Sequence, residues 1–157
     1  MTVAWQRHRL SALGLSFEVD STRSLDTVPL DDGAILTQRF ADEAAVFVRY
    51  GPDQTLDRFL AGLGDLLTTA TTLADEPVQI AGHPARRLTV SLQRRGKQIP
   101  GRPTYRPSRI EVTGFSVRDI PVLVGYRLPE GSSDDIRAAV ERFAGSVDTT
   151  DVTSPEA

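Results

Sequence analysis

The 157 residues, 39% hydrophobic and 25% charged, suit one globular domain, since domains cluster at roughly 100 to 150 residues and a single core still closes at that length. The absence of cysteine excludes disulfide staples, thiolate nucleophiles and zinc sites built on sulfur. The formal charge of -3 conceals a polarised chain: no Asp or Glu lies between Pro77 and Ile110, where Arg86, Arg87, Arg94, Arg95, Lys97, Arg102, Arg106 and Arg109 stand, and the remainder carries -11.

Met1 to Leu15 places Trp5, Arg7, His8 and Arg9 among its apolar residues, which breaks up the apolar run of a secretory signal. Ile120 to Tyr126, among the longest apolar runs, is strand-sized and far short of the ~20 residues of a membrane-spanning helix. A soluble, cytoplasmic protein with no stable membrane insertion is expected.

Leu15, Phe17 and Val19 alternate with Ser16 and Glu18, the period of a half-buried strand. A loop is expected to follow as far as the turn signal Asp31-Asp32-Gly33. Ala34 to Phe40 resumes an extended pattern, with Ile35 and Leu36 facing the core. In Ala45 to Tyr50, Val46, Val48 and Tyr50 share one face and Phe47 takes the other, which predicts a central strand covered on both sides. Gly51 and Pro52 stop it. Asp53 or Thr55 then caps a helix whose stripe is Leu56, Phe59, Leu60, Leu63, Leu66 and Leu67; Gly62 and Gly64 each weaken it by ~1 kcal/mol.

The Thr-rich stretch Thr68 to Thr72 reads as a linker. Val78 to Ile80 and Arg87 to Gln93, with Leu88, Val90 and Leu92 alternating, form a hairpin around the turn Gly82-His83-Pro84. Gly96 to Ser108, with Pro100, Pro103 and Pro107 among basic residues, predicts a long exposed loop. Ile110 to Val117 and Ile120 to Leu128 are strands joined at Arg118 and Asp119. Ser132 with Asp135 resembles a capping box for a closing helix that buries Ile136, Val140 and Phe143 and ends at Val147. Phe17, Val46, Val48, Leu60, Leu63, Leu88, Val90, Val124, Ile136, Val140 and Phe143 are expected in one contiguous core. Residues 1–147 thus form one domain, and 148–157, rich in Thr, Ser, Asp and Pro, a disordered tail.

The chemistry-bearing motifs are sparse. Gly114-Phe115-Ser116 lacks the second glycine of a nucleophile elbow and lies within a strand pattern. His8 and His83 each lack a second ligand at helical or hairpin spacing. The pairs Asp31 with Asp32, Asp42 with Glu43 and Asp134 with Asp135 sit in turns or at a helix start, where acids satisfy amides. No phosphate-cradling glycine loop is present. No enzyme, cofactor or metal is expected, and Ser116 and His83 are the least implausible catalysts.

The sharpest candidate is the basic stretch. Its bland explanation is a solvated loop; its functional one is contact with an anionic partner, through Arg87, Arg94, Arg95, Lys97, Arg102, Tyr105, Arg106 and Arg109. Nucleic acid is disfavoured, because Tyr105 is the only aromatic in the stretch and the remaining surface is acidic.

The order of strands, one helix, more strands and a closing helix predicts an α+β fold, an antiparallel sheet of about six strands with flanking helices in an α/β/α arrangement. The segment Val78-Gln79-Ile80-Ala81-Gly82-His83-Pro84-Ala85 resembles a hairpin of the PsbP-like and DcrB-like superfamily. Val122 to Glu130 and Phe143-Ala144-Gly145-Ser146-Val147 are similar to its C-terminal part. The likeness spans about Leu15 to Val147, the loop from Arg94 to Arg109 standing as an insertion. It implies a sheet flanked by helices and used for binding rather than turnover. The superfamily includes a Ran-binding import factor and dimeric cytoplasmic chaperones of secreted effectors. A protein-binding adaptor or chaperone, with a homodimer possible in that role, is therefore the expected function; a binder of a small anionic or lipidic ligand, or an unrecognised enzyme, is the alternative.

Overall fold

A computed structural model describes residues 4–63, 68–94, 107–149 and 152–154. Strands β1 (Trp5–Leu10), β2 (Leu15–Asp20), β3 (Leu25–Leu30), β4 (Gly33–Arg39) and β5 (Ala45–Tyr50) precede helix α1 (Leu56–Ala61). Strands β6 (Thr68–Ile80), β7 (His83–Arg94), β8 (Ser108–Val117) and β9 (Ile120–Pro129) follow, then helix α2 (Asp134–Ser146) and two short strands, β10 (Asp148–Thr149) and β11 (Val152–Ser154). The main sheet runs β3-β4-β5-β9-β8-β7-β6, with β11 added against β8; a second sheet has the order β1-β2-β10. Every ladder is antiparallel.

Tight turns account for that topology. Ala81 and Gly82 (φ 49° and 80°) join β6 to β7, and Arg118 and Asp119 (φ 51° and 63°) join β8 to β9. Two central residues with positive φ have the twist that suits adjacent antiparallel strands. The β6–β7 turn therefore lies one residue earlier than Gly82-His83-Pro84: His83 and Pro84 begin β7, paired with Ile80 and Gln79.

The alternation in β5 sorts the core into two clusters. Val46 and Val48 join Phe115, Val117, Val122 and Val124 under α2, which contributes Ile136, Val140 and Phe143, and under β2, which contributes Leu15 and Phe17. Phe47 points the other way, into a cluster of Leu88, Val90, Leu92, Ile110, Val112 and Leu123 with Leu56 and Phe59 of α1. The single core expected from the sequence is thus two, one on each face of the sheet, because a sheet separates what its strands alternate. Leu60 and Leu63 pack at the margin of the second cluster. Gln38, buried in β4, ties the sheets together: its Oε1 accepts from the Asp20 N–H at 3.0 Å and its Nε2 donates to the Asp20 carbonyl at 2.8 Å.

Several elements differ from expectation. Leu25–Leu30 is a strand, not a loop, paired with β4 along the sheet edge. Thr68 to Thr72 is not a linker but the start of β6, where β7 supplies the ladder from Arg94 to Val90; threonine is β-branched and fits a pleated surface. Helix α1 ends at Ala61, with Gly62 as its C-cap, and positions 64–67, including Leu66 and Leu67, lie outside the described residues. Thr55 is the N-cap, its Oγ1 accepting from the Arg58 N–H at 3.3 Å. Ser133, not Ser132, caps α2; the Ser132 hydroxyl donates to the Pro129 carbonyl at 2.6 Å. The tail departs from disorder at its start, for Asp148 and Thr149 pair with Ser16 and Leu15, and Val152–Ser154 pairs with β8. An unfilled ladder edge satisfies the backbone groups of a short, largely polar segment. The main sheet exceeds six strands and only two helices are described, of 6 and 13 residues, so the α+β class holds without a full helical layer on each face.

Phe143 is 1% exposed and meets Phe17 edge to face at 5.7 Å. Phe143→Ala is expected to lower stability by ~3 to 5 kcal/mol. Gln38→Ala strands the Asp20 backbone groups and is expected to cost ~1 to 3 kcal/mol. Urea denaturation of both variants checks these values, and a loss within error of zero for Phe143→Ala would contradict the assignment of the α2 face.

Candidate binding groove

Helix α2 lies over β2, β5 and β9. The same sheet face continues onto β7 and β8, where alternation presents Arg87, Thr89 and Ser91 beside Arg109, Glu111 and Thr113. Two hollows, of about 330 and 240 Å³, open between this polar strip and α2, and Tyr126 of β9 lines both. The larger is bounded by Arg109, Arg137 and Glu141; the smaller by Arg87, Glu111 and Thr113, with Ala144 and Gly145 on the helix side. Small side chains at 144 and 145 leave room there.

Register assembles the polar groups. Glu111 stands directly opposite Tyr126, and Arg87 opposite Thr113. The Tyr126 hydroxyl donates to Glu111 Oε2 at 2.9 Å. Arg87 Nε lies 3.3 Å from Glu111 Oε1 and donates to Thr113 Oγ1 at 3.3 Å. Arg109 Nη2 reaches Glu111 Oε2 at 3.7 Å. Glu111, its side chain only 16% exposed, is the hub, and its one charge is shared between the two arginines. Burial pushes the Tyr126 hydroxyl up to about 12, helped by the hydrogen bond to Glu111 and by its charge, while Arg109 and Arg87 act against the shift. This network holds a phenol, a carboxylate and two guanidinium groups at a partly exposed surface.

Of the residues singled out from sequence, Arg87 and Arg109 meet in this groove. Arg94 ends β7; its side chain, with Arg95, Lys97, Arg102, Tyr105 and Arg106, lies outside the described residues. The unrelieved charge read from the sequence is corrected for the described arginines. Arg86, on the opposite face, holds Asp75 through two hydrogen bonds of 2.8 and 2.7 Å and lies 4.0 Å from Asp57, and Arg87 and Arg109 share Glu111. The acids come from β6, α1 and β8, adjacent in space and absent from the basic run itself. Ser116 is buried in β8 opposite Pro121, and His83 opens β7 at the hairpin. Among the described residues no three His, Asp or Glu side chains gather as a metal-binding set. Glu111, Thr113 and Tyr126 were not singled out from the sequence; the available signal was Glu111 and Thr113 interrupting the apolar alternation of β8.

The arrangement defines an α+β protein whose antiparallel sheet carries a helix-bounded, polar groove. No protein-family model matches the sequence, and no curated protein matches it. Among solved structures, the chain matches the solution structure of cyanobacterial PsbP (CyanoP) from Synechocystis sp. PCC 6803 over 96% of this chain and 95% of that one, with a TM-score of 0.65 and 16% identity. The fold is therefore PsbP-like. No helix among the described residues is long and apolar enough to cross a membrane.

The raised Tyr126 value makes a signed prediction. Its folded form holds the proton more tightly than the unfolded chain, so the associated stability is complete below pH ~10 and is lost as pH rises toward 12. Absorbance titration should show one tyrosine ionising late, and Glu111→Gln should move that transition to lower pH. Tyr126→Phe should flatten the fall of stability above pH 10, read as the urea midpoint at several pH values.

Proposed function

We propose that the protein is a non-catalytic protein-binding module of the adaptor or chaperone kind, and that the groove beside α2, extended by the basic stretch of residues 87–109, receives its partner. The observation that carries this reading is the Arg87–Glu111–Tyr126 network, a set of half-buried donors and an acceptor on a sheet face that α2 leaves uncovered. Polar groups held in place there lose little further freedom on binding. The likeness of the Val78–Ala85 hairpin to a superfamily of binding proteins points the same way. A partner with acidic side chains suits Arg109 and the basic residues 94 to 106, and such charges speed association more than they strengthen it. The cytoplasm is the proposed compartment, to be tested by fractionating the native host, and a homodimer belongs to the same proposal, to be tested by sedimentation.

The larger hollow, of about 330 Å³, also favours a second reading, a small anionic or lipidic ligand, since ligand pockets start near ~300 Å³. Thermal shift against fatty acids and phosphorylated metabolites separates the two. Turnover forms no part of the proposal; a substrate screen that found activity abolished by changing Ser116 or His83 would replace it.

The deciding experiment is partner capture from the native host with the wild-type chain and with Arg94, Arg95, Lys97, Arg102 and Arg106 replaced by Gln or Ser. Capture is expected to fall roughly tenfold in the substituted chain and to weaken with salt in the wild type, as exposed charges are screened beyond ~8 Å at physiological ionic strength. Tm should not change. Unchanged capture removes the basic stretch from the interface, and a large fall in Tm assigns those side chains to the fold.

A further inference from the structure

On the sheet face opposite the groove, β5 carries a cation, Arg49, with no counter-charge among the described residues. Strand alternation puts Phe47 and Arg49 on the same side, and α1 brings Phe59 to them. The two rings stack at 5.5 Å between centres. The Arg49 guanidinium carbon lies 5.2 Å from the Phe47 ring centre and 5.1 Å from that of Phe59. Directly across the ladder stand Ile35 and Leu123, both apolar. The Nε of Arg49 is buried and has no hydrogen-bond acceptor among the described residues.

The contrast with the other half-buried arginines is informative. Arg86, Arg87 and Arg127 have carboxylates at 2.7, 3.3 and 3.9 Å, whereas Arg49 has none among the described residues. Burial pushes its guanidinium below the ordinary value, and no acid among the described residues opposes the shift. Ring faces recover part of the cost of removing a cation from water, but a buried charge is normally paired, and an apolar side chain of similar volume serves packing as well or better.

We propose that Arg49 anchors an oxyanion site, in which a carboxylate or phosphate group of a ligand accepts hydrogen bonds from the terminal N–H groups of a guanidinium held against Phe47 and Phe59. The rings fix the plane of the guanidinium and leave its edge for the anion, the geometry in which arginine binds oxyanions best. This site is separate from the groove and does not depend on the reading of the groove.

The test is an NMR titration of the full chain with sodium phosphate and, separately, sodium acetate at constant ionic strength, sodium chloride serving as control. The signals followed are the Arg49 side-chain N–H and the amides of Phe47, Arg49 and Phe59. Saturable shifts with at least one oxyanion are expected, and their loss in Arg49→Met, whose Tm should equal or exceed that of the wild type. Saturation by phosphate alone indicates a phosphate-bearing ligand, by acetate alone a carboxylate-bearing one. Shifts that never saturate, or that persist in Arg49→Met, overturn the site. A Tm lowered by more than ~5 °C in Arg49→Met overturns it in favour of a purely structural cation on the rings. If Arg49→Met does not fold, Arg49→Lys keeps the charge without the planar fork; at least a threefold weaker affinity is expected, and unchanged affinity refutes the assignment.

Discussion

The antiparallel register that sets Val48 opposite Val124 and Phe47 opposite Gly125 decides what lies on each side of the sheet. A slip of one residue would exchange the faces of β5, sending Phe47 toward α2 and the two valines toward α1. Gly125 helps hold the register. A Cβ there would lie 2.8 Å from the tip of the Phe47 ring and would also collide with the Glu111 carbonyl of β8, so only glycine lets the ring lie across β9. Phe59 then stacks on Phe47, which ties α1 to the sheet although the helix has only 6 residues. The position of Arg49 follows from the same contact.

The other face of the sheet is apolar in one part and polar in another. Its middle, on β5 and β9, is apolar and covered by α2 and β2. Its continuation on β7 and residues 108–113 of β8 is polar, because Leu88, Val90, Leu92, Ile110 and Val112 lie on the α1 side and Arg87, Glu111 and Thr113 turn toward the groove. Two arginines and one glutamate within ion-pair distance keep the strip near neutrality despite the basic sequence around it. The charge asymmetry visible along the chain is therefore smaller in space than in sequence.

The match to cyanobacterial PsbP covers nearly the whole of both chains at 16% identity. A sheet of this kind demands only two-residue turns and alternating apolar positions, a pattern that many different side chains satisfy. The polar residues of the groove and the arginine against the two phenyl rings are under no such constraint. Function on a shared fold resides in positions of that kind.

The strands β2, β4, β5, β7, β8 and β9 and helix α2 were legible in the sequence, because burial of one or both faces imposes a period that local residues must obey. Proline, glycine and threonine content misled where composition stood in for pairing. Leu25 to Leu30 and Thr68 to Thr72 have no strong period of their own and become strands because β4 and β7 offer ladder edges. The basic stretch was visible as charge, yet nothing local could show that Asp57, Asp75 and Glu111 would neutralise its first and last members. By itself the sequence determined the α+β class, the hairpins and most of the buried side chains, since these follow from spacing along one strand or helix. That the core is divided by the sheet, that Tyr126 meets Glu111 and that Arg49 lies against two rings emerges in three dimensions alone, since each depends on which residue stands across the ladder or is packed on it from another element.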